Sequence, residues 1–230
     1  MHAFYCQNLG IAGEVVTLDR AESDHLFKTL RGRLGDQVML LDGKGKTAMA
    51  EILAEKELKI LDVKIHNAPK GRIFLFVAAP RKQKLDQLLK QATELGVRAI
   101  GIMHCDYSVA LPEGSSRWEM ILLEACKQSN NPFIPEILPV MKFQEALDFV
   151  KANSLAGIFG DVEDNQNLIE NLGQDVAFFV GPEGGFSEKE LTLMRENSFA
   201  GLNLGPYILR LETAAICGVA VIRKMLNKMI

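Results

Sequence analysis

Between positions 73 and 79 the chain reads Ile-Phe-Leu-Phe-Val-Ala-Ala with no polar interruption. A run that short and that apolar predicts a strand buried on both faces, as in a parallel sheet covered by helices. Directly beyond it Leu85, Leu88, Leu89, Ala92 and Leu95 recur at helical spacing, and Gly96 closes the helix. The alternation continues with an apolar strand at Ala99–Met103, a helix around Ser116–Gln128 that places Trp118, Ile121, Leu122 and Ala125 on one face, and a helix marked by Phe143, Ala146, Leu147 and Val150. Leu155–Phe159 and Val176–Val180 are again apolar strands. Ser187-Glu188-Lys189-Glu190 is a capping box that starts a helix. Gly201–Leu204 reads as a short strand, and Glu212 to about Met229 as a long terminal helix. Strands alternating with helices predict a parallel sheet with helices on both faces.

The first 67 residues follow another rhythm. Glu14–Leu18, Gln37–Leu41, Thr47–Leu53 and Lys59–Ile65 read as short strands, with Asp42-Gly43-Lys44-Gly45 as a turn and one helix from Glu22 to Leu30. Short strands joined by glycine turns predict a small barrel. Asn67-Ala68-Pro69-Lys70-Gly71 reads as a linker, so the chain divides into a β domain, 1–68, and an α/β domain, 72–230. No internal repeat or low-complexity tract is visible.

Composition narrows the classes. Of 230 residues 48% are hydrophobic and 24% charged, the profile of a globular protein. No apolar stretch approaches the ~18 residues of a membrane span. Met1–Gly10 lacks a basic region followed by an apolar run, so the expected location is cytoplasmic, with no membrane partner. Cys6, Cys105, Cys126 and Cys217 form no C-x-x-C pair, and His2, His25, His66 and His104 are scattered. Reduced thiols and no metal site are expected. The net charge is −3, yet residues 69–110 carry 7 basic groups against 3 acidic ones, among them Lys70, Arg72, Arg81, Lys82, Lys84 and Lys90. A local basic patch is what phosphates respond to, although a solvated surface reads the same on charge alone.

Two segments look unlike ordinary connections. Gly181-Pro182-Glu183-Gly184-Gly185-Phe186 follows the strand Val176–Val180, at the carboxyl end where open parallel sheets bind ligands. It matches neither the phosphate loop nor the dinucleotide fingerprint, so a nucleotide-dependent dehydrogenase is a weak reading. A tight turn without a ligand is as good an account of this segment taken alone. The second, Leu204-Gly205-Pro206-Tyr207-Ile208-Leu209-Arg210-Leu211-Glu212, leaves a strand and enters the last helix. Arg210 is either a surface arginine whose stem packs on its neighbours or a guanidinium aimed at a phosphate or base edge. Glu212 is placed to cap the helix.

Together GPEGGFSEKE and LGPYILRLETA resemble the SPOUT methyltransferases, and within them the ribosomal RNA small subunit methyltransferase E family, the 16S rRNA uridine N3-methyltransferases. The resemblance extends to Lys82–Val97 (KQKLDQLLKQATELGV), Arg117–Pro135 and His25–Arg31. It implies a SPOUT-type α/β domain tied in a trefoil knot, a rare exception to the rule against knotted chains, behind a PUA-like RNA-binding barrel. It implies S-adenosyl-L-methionine as cofactor, cradled by Gly181, Glu183, Gly184 and Gly185 in one loop and by Leu204, Gly205, Ile208 and Leu209 in the other, with Gly160 closing the pocket. A homodimer is implied, with the apolar last helix at its interface, and 16S rRNA in the small ribosomal subunit is the implied partner.

The implied chemistry is a positioning task, because the methyl donor is already activated. Uracil N3 must lose or share its proton, and a cation beside the developing anion helps. Arg210 is the expected cation. Glu183 is a candidate proton acceptor, with a structural role in its loop equally open. Arg31, Arg33, Arg81, Lys82 and Lys84 are the expected RNA contacts. The chain departs from the family where arginine is usual, at Ala3, Tyr107, Asn131 and Tyr207. Those losses keep two alternatives in view: a non-catalytic ribosome-binding protein of the same fold, and a methyltransferase aimed elsewhere, such as a ribose 2′-oxygen. Tyr107 and Tyr207 are either packed rings or platforms for bases.

Overall fold

The computed structural model describes residues 2–80, 82–109, 116–161 and 175–228. The chain divides into two compact units, Met1–Ala68 with Leu122–Ile134, and Pro69–Ile121 with Pro135–Ile230.

The first unit holds strands β1 (Ala3–Tyr5), β2 (Val15–Thr17), β3 (Gln37–Leu41), β4 (Lys46–Ala54) and β5 (Glu57–Ile65) in the order β1-β3-β4-β5-β2. β1 runs parallel to β3, and the other pairs are antiparallel. The order has two edges, so the expected small barrel is realised as a curled sheet. Register shifts at Met49/Ala50 and Ile52/Ala54 supply bulges, which increase local twist. Alternation fills the core: Leu58 and Ile60 are buried between exposed Glu57 and Lys59, and they meet Phe4, Leu40, Ala50 and Ile52.

The helix expected over 22–30 begins earlier and changes pitch. Asp19 accepts from the Glu22 backbone N–H at 2.8 Å and starts α1 (Arg20–Asp24). His25–Thr29 then forms a π-helical turn, whose widened pitch ends with the Gly32 N–H on the Leu26 carbonyl at 3.0 Å.

Residues 122–134 were read with the second domain and cluster with the first unit instead. Two features within that unit account for it. The Gly45 N–H donates to the Pro132 carbonyl at 2.9 Å, and the Ile134 N–H donates to the Gly43 carbonyl at 3.0 Å. A Cβ on Gly43 would lie 2.3 Å from Ile134 and one on Gly45 2.5 Å from Phe133, so the glycine turn is shaped to receive this segment. Lys127, with its side chain 8% exposed, donates to Glu22 at 2.7 Å and to Glu124 at 2.8 Å. Burial alone would lower the lysine's affinity for its proton, but the two carboxylates outweigh it and hold the ammonium above its ordinary range.

The second unit contains β6 (Ile73–Ala78), α2 (Lys82–Glu94), β7 (Ala99–His104), the start of α3 (Ser116–Ser129), β8 (Glu136–Ile137), β9 (Met141–Lys142), α4 (Phe143–Ala152), β10 (Ala156–Asp161), β11 (Val176–Val180), α5 (Glu188–Glu196), β12 (Ala200–Asn203) and α6 (Leu211–Lys228). Its strands are all parallel, in the order β12-β10-β11-β6-β7-β8, with β9 also pairing β7. Every residue of β6 and β11 is buried, as expected of strands covered on both faces. Against this sheet α6 packs so closely that a Cβ on Gly218 would lie 2.3 Å from the Phe178 ring. Arg223 on α6 donates to the Gly71 carbonyl at 2.6 Å and the Gly96 carbonyl at 2.8 Å, using one guanidinium fork to satisfy two chain turns. Asp175 accepts from both the backbone N–H and the guanidinium of Arg72, which fastens the entry of β11 to that of β6. No helix among the described residues is long and apolar enough to cross a membrane.

Candidate functional site

Three neighbouring strands of the second unit converge on one cavity. β10 lies between β11 and β12, so the chain moves to one side of β10 and later to the other, which opens a crevice at the strands' carboxyl ends. The cavity there holds about 340 Å³, within the ~300–1,000 Å³ usual for small-molecule sites. Gly160 and Asp161 end β10 at its floor. Gly181, Pro182, Glu183, Gly185 and Phe186 border it after β11, and Leu204, Gly205, Pro206, Ile208 and Leu209 after β12. Eight of the nine residues expected to hold a cofactor are thereby brought together from three separate segments of the chain.

Gly184 is the exception. It does not line the cavity, and a Cβ placed on it would meet Tyr107 at 3.4 Å. The neighbouring glycines are bare for two reasons. Gly185 and Gly205 have φ of +77° and +138°, conformations that L side chains rarely adopt. Gly160 has no such strain, and its Cβ direction is nearly open, with the Phe179 carbonyl oxygen at 4.0 Å as the nearest atom. A side chain there would grow into free space. The lining thus offers exposed backbone groups flanked by Leu202, Leu204, Ile208 and Leu209. That combination suits a planar heterocycle with a polar, hydrogen-bonding periphery, and an adenosyl group fits it.

The loop after β11 is held rigidly. The Gly185 N–H bonds the Pro182 carbonyl at 2.8 Å. Ser187 caps α5, and the Glu190 carboxylate, on a residue only 3% exposed, accepts from the Ser187 N–H at 2.8 Å and from the Asp106 N–H at 3.0 Å. The Ser187 hydroxyl completes the cluster by donating to Asp106 at 2.6 Å. The loops after β7 and β11 are therefore tied together. Beside them, burial pushes the Cys105 thiol up, and the negative Glu190 and Asp106 push it further, so it stays protonated and unreactive.

The expected charged residues divide. Glu183 lines the cavity and is exposed. Arg210 is exposed and lies outside the lining, between Leu209 and Leu211, which belong to it. Lys84 does not present a free charge: it pairs with Glu212 at 3.0 Å. Burial would raise the Glu212 carboxyl, but the backbone N–H at its helix start and Lys84 outweigh it and hold the group below its ordinary range. Arg31 and Arg33 are exposed on the first unit. Arg81 and the side chain of Lys82 lie outside the described residues.

Several lining residues escaped the sequence reading. Asp161, with a side chain 7% exposed, lies near Arg195, and Asn203 accepts from the Gly205 N–H at 2.7 Å. Asn203 could have been found from its place before the Gly-Pro turn. Asp161 follows Gly160 directly but carries no pattern of its own.

The class of protein, an RNA methyltransferase, comes from comparison with known proteins. The family described as RNA methyltransferase domain matches residues 66–223, and the family described as RNA methyltransferase PUA domain matches 18–65. A relative from Mesomycoplasma hyopneumoniae, ribosomal RNA small subunit methyltransferase E, is 31% identical over 160 residues, 67% of this chain and 70% of its own length. The protein of the same name from Synechocystis sp. is 27% identical over 92% of this chain and 74% of its own. Among solved structures, the Neisseria gonorrhoeae ribosomal RNA small subunit methyltransferase E bound to S-adenosyl methionine superimposes with a TM-score of 0.88 at 29% identity, covering 98% of each chain. The chain belongs to the ribosomal RNA small subunit methyltransferase E family, with its α/β parallel-sheet domain and PUA-like N-terminal domain.

Proposed function

We propose that this protein transfers a methyl group from S-adenosylmethionine to N3 of a uridine in the 16S rRNA of the small ribosomal subunit. The observation that carries the reading is the cavity at the ends of β10, β11 and β12, bare where Gly160 faces it and apolar along Leu202–Leu209. S-adenosylmethionine, when bound, supplies a methyl on a cationic sulfur. Everything else falls to the chain's own residues.

The backbone of 181–186 and 204–209 orients and shields the adenosyl group, a task of alignment rather than activation. Glu183, on the lining, accepts the uracil N3 proton. Arg210, exposed beside the lining, offsets the charge that then develops on the base. Arg31 and Arg33 contact RNA phosphates, and Arg81 and Lys82 belong to the same reading. Lys84 serves chiefly to steady the start of α6 through Glu212. The knotted threading is supported by the step from β11 across β10 to β12, followed by α6 packing back on β6, β11 and β10.

The protein acts in the cytoplasm as a homodimer. Support for the dimer comes from α6, which buries Leu211, Ala215, Val219 and Ile222 while Thr213, Cys217 and Ala220 remain exposed as a narrow stripe. Light scattering giving a monomer mass would remove that part.

The activity is tested with radiolabelled S-adenosylmethionine and unmodified small subunits. Label mapped to N3 of a uridine in 16S rRNA is the expected result. Label on a ribose 2′-oxygen would move the chemistry to a different acceptor, and subunit binding without transfer would leave only a ribosome-binding protein.

A further inference from the structure

The chain has three tyrosines. Tyr5 is half-buried in β1, whereas Tyr107 and Tyr207 expose 57% and 83% of their surface. Isolated exposed hydrophobes need no explanation. These two are not isolated, because both border the same turn. Tyr207 lines the cavity together with Glu183 and Gly185, while the residue between those two, Gly184, has its Cβ direction against Tyr107. Near them in sequence, Ile208 is 87% exposed and Val109 94% exposed. The bond network of Glu190, Ser187 and Asp106 fixes the loop that carries Tyr107 to the loop beside it.

Resting on the methyl-transfer reading above, we propose that Tyr207 is the platform on which the target base stacks at the cavity's mouth, and that Tyr107 carries the base next to it. An aromatic face holds a base without reading its identity, since every base has a π-face, and a base reaches such a platform only when it has left its duplex stack. Tyr207 lines the cavity, so its partner is the base that enters. Tyr107 lies outside the lining, so its partner is the flanking nucleotide. Stacking is also indifferent to salt, unlike a phosphate contact. On this reading the chain grips its RNA at the mouth by rings rather than by charge.

The test is methyl transfer to unmodified small subunits at low and high salt, with calorimetry of S-adenosylmethionine binding on each variant. Tyr207→Ala is expected to reduce kcat/KM about tenfold or more, mostly through KM, and Tyr107→Ala by a smaller factor. Tyr207→Phe loses far less than Tyr207→Ala, the losses are equal at both salt concentrations, and any fall in cofactor affinity is smaller than the fall in kcat/KM. Unaltered kcat/KM in Tyr207→Ala, beside an active parent protein, would overturn the inference and leave the proposed function standing. So would an equal loss in Tyr207→Phe, or a fall in cofactor affinity that accounts for the whole loss of kcat/KM. No transfer by the parent protein would instead overturn the proposed function and the inference with it.

Discussion

The two units each contain a concavity, and the two are built on opposite principles. In the second unit the lining is mainly glycine backbone and apolar side chain, with Asp161, Glu183 and Asn203 as its polar members. In the first unit a hollow of about 260 Å³ is bordered by His2, Ala3, His25, Glu124, Lys127 and Gln128. Behind it sits the Lys127–Glu22 pair, with both side chains under 10% exposed. One oxygen of Glu22 has no hydrogen-bond partner in its buried position. The glycine-lined cavity carries its charge on Asp161 and Glu183 and leaves the rest of its walls to backbone and apolar groups. The charged hollow uses its lysine internally, on two carboxylates, and its polarity serves to anchor 122–134 to the β unit.

That contrast can be broken most severely at Lys127. Lys127→Met leaves Glu22 buried without a countercharge, and loss of one member of a buried pair costs about 3–5 kcal/mol. Thermal or denaturant unfolding will read this as a large fall in stability. Adding Glu22→Gln to Lys127→Met recovers most of it if the stranded charge is the cause. If Lys127→Met is neutral, the anchor is not electrostatic.

The other side of the contrast is sharpened by Gly160→Val, whose branched side chain fills the cavity at a position with no backbone strain. The expected result is a rise in the Kd for S-adenosylmethionine of about a hundredfold, roughly 2.7 kcal/mol, with Tm nearly unchanged. Gly184→Val, directed at Tyr107 rather than the cavity, is expected to do much less. Equal effects from the two would show that the cavity floor is wrongly placed.

Next in size is Glu190→Ala. It strands the Asp106 and Ser187 N–H groups in a buried site, a loss of about 2 kcal/mol. Calorimetry should also show a severalfold weaker cofactor affinity as the 181–186 turn loosens. Unchanged affinity would confine Glu190 to capping α5.

The smallest effect is at Asp175. Arg72, through its hydrogen bonds and charge, holds this carboxyl below its ordinary value of 3.8. A group depressed in the folded state contributes its stability above the unfolded value and loses it as pH falls through the folded one. The Tm difference between the parent protein and Asp175→Asn should be present at pH 7 and shrink below about pH 4. Since Arg72 is half exposed, the difference at neutral pH should stay under about 1 kcal/mol. A difference that grows on acidification would contradict the assignment.

How legible these regions were follows the same divide. β6, β7 and β11 were evident as unbroken apolar runs, and the helices α2, α4 and α6 from their spacing, because burial on two faces or on one leaves a local pattern. The two turns proposed to hold the cofactor stood out as glycine-rich segments directly after strands, and Gly185 and Gly205 in them do adopt a positive φ. Strand β1 escaped, since three residues carry no periodicity, as did the two-residue β8 and β9. The membership of 122–134 in the first unit was invisible. It depends on Lys127 meeting Glu22, 105 positions away, and on a glycine turn whose shape only makes sense once Phe133 and Ile134 lie against it. The exposure of Tyr107 and Tyr207 was equally beyond a linear reading, which cannot tell a ring packed inside from a ring left outside.

The seat of the methyl donor bears the rest of the account, and a crystal grown with S-adenosylhomocysteine addresses it directly. Adenine and ribose density enclosed by Gly160, Gly181–Phe186 and Leu204–Leu209 is the expected result. Clear density for the compound at another place on the chain, with those turns touching only solvent, would contradict it.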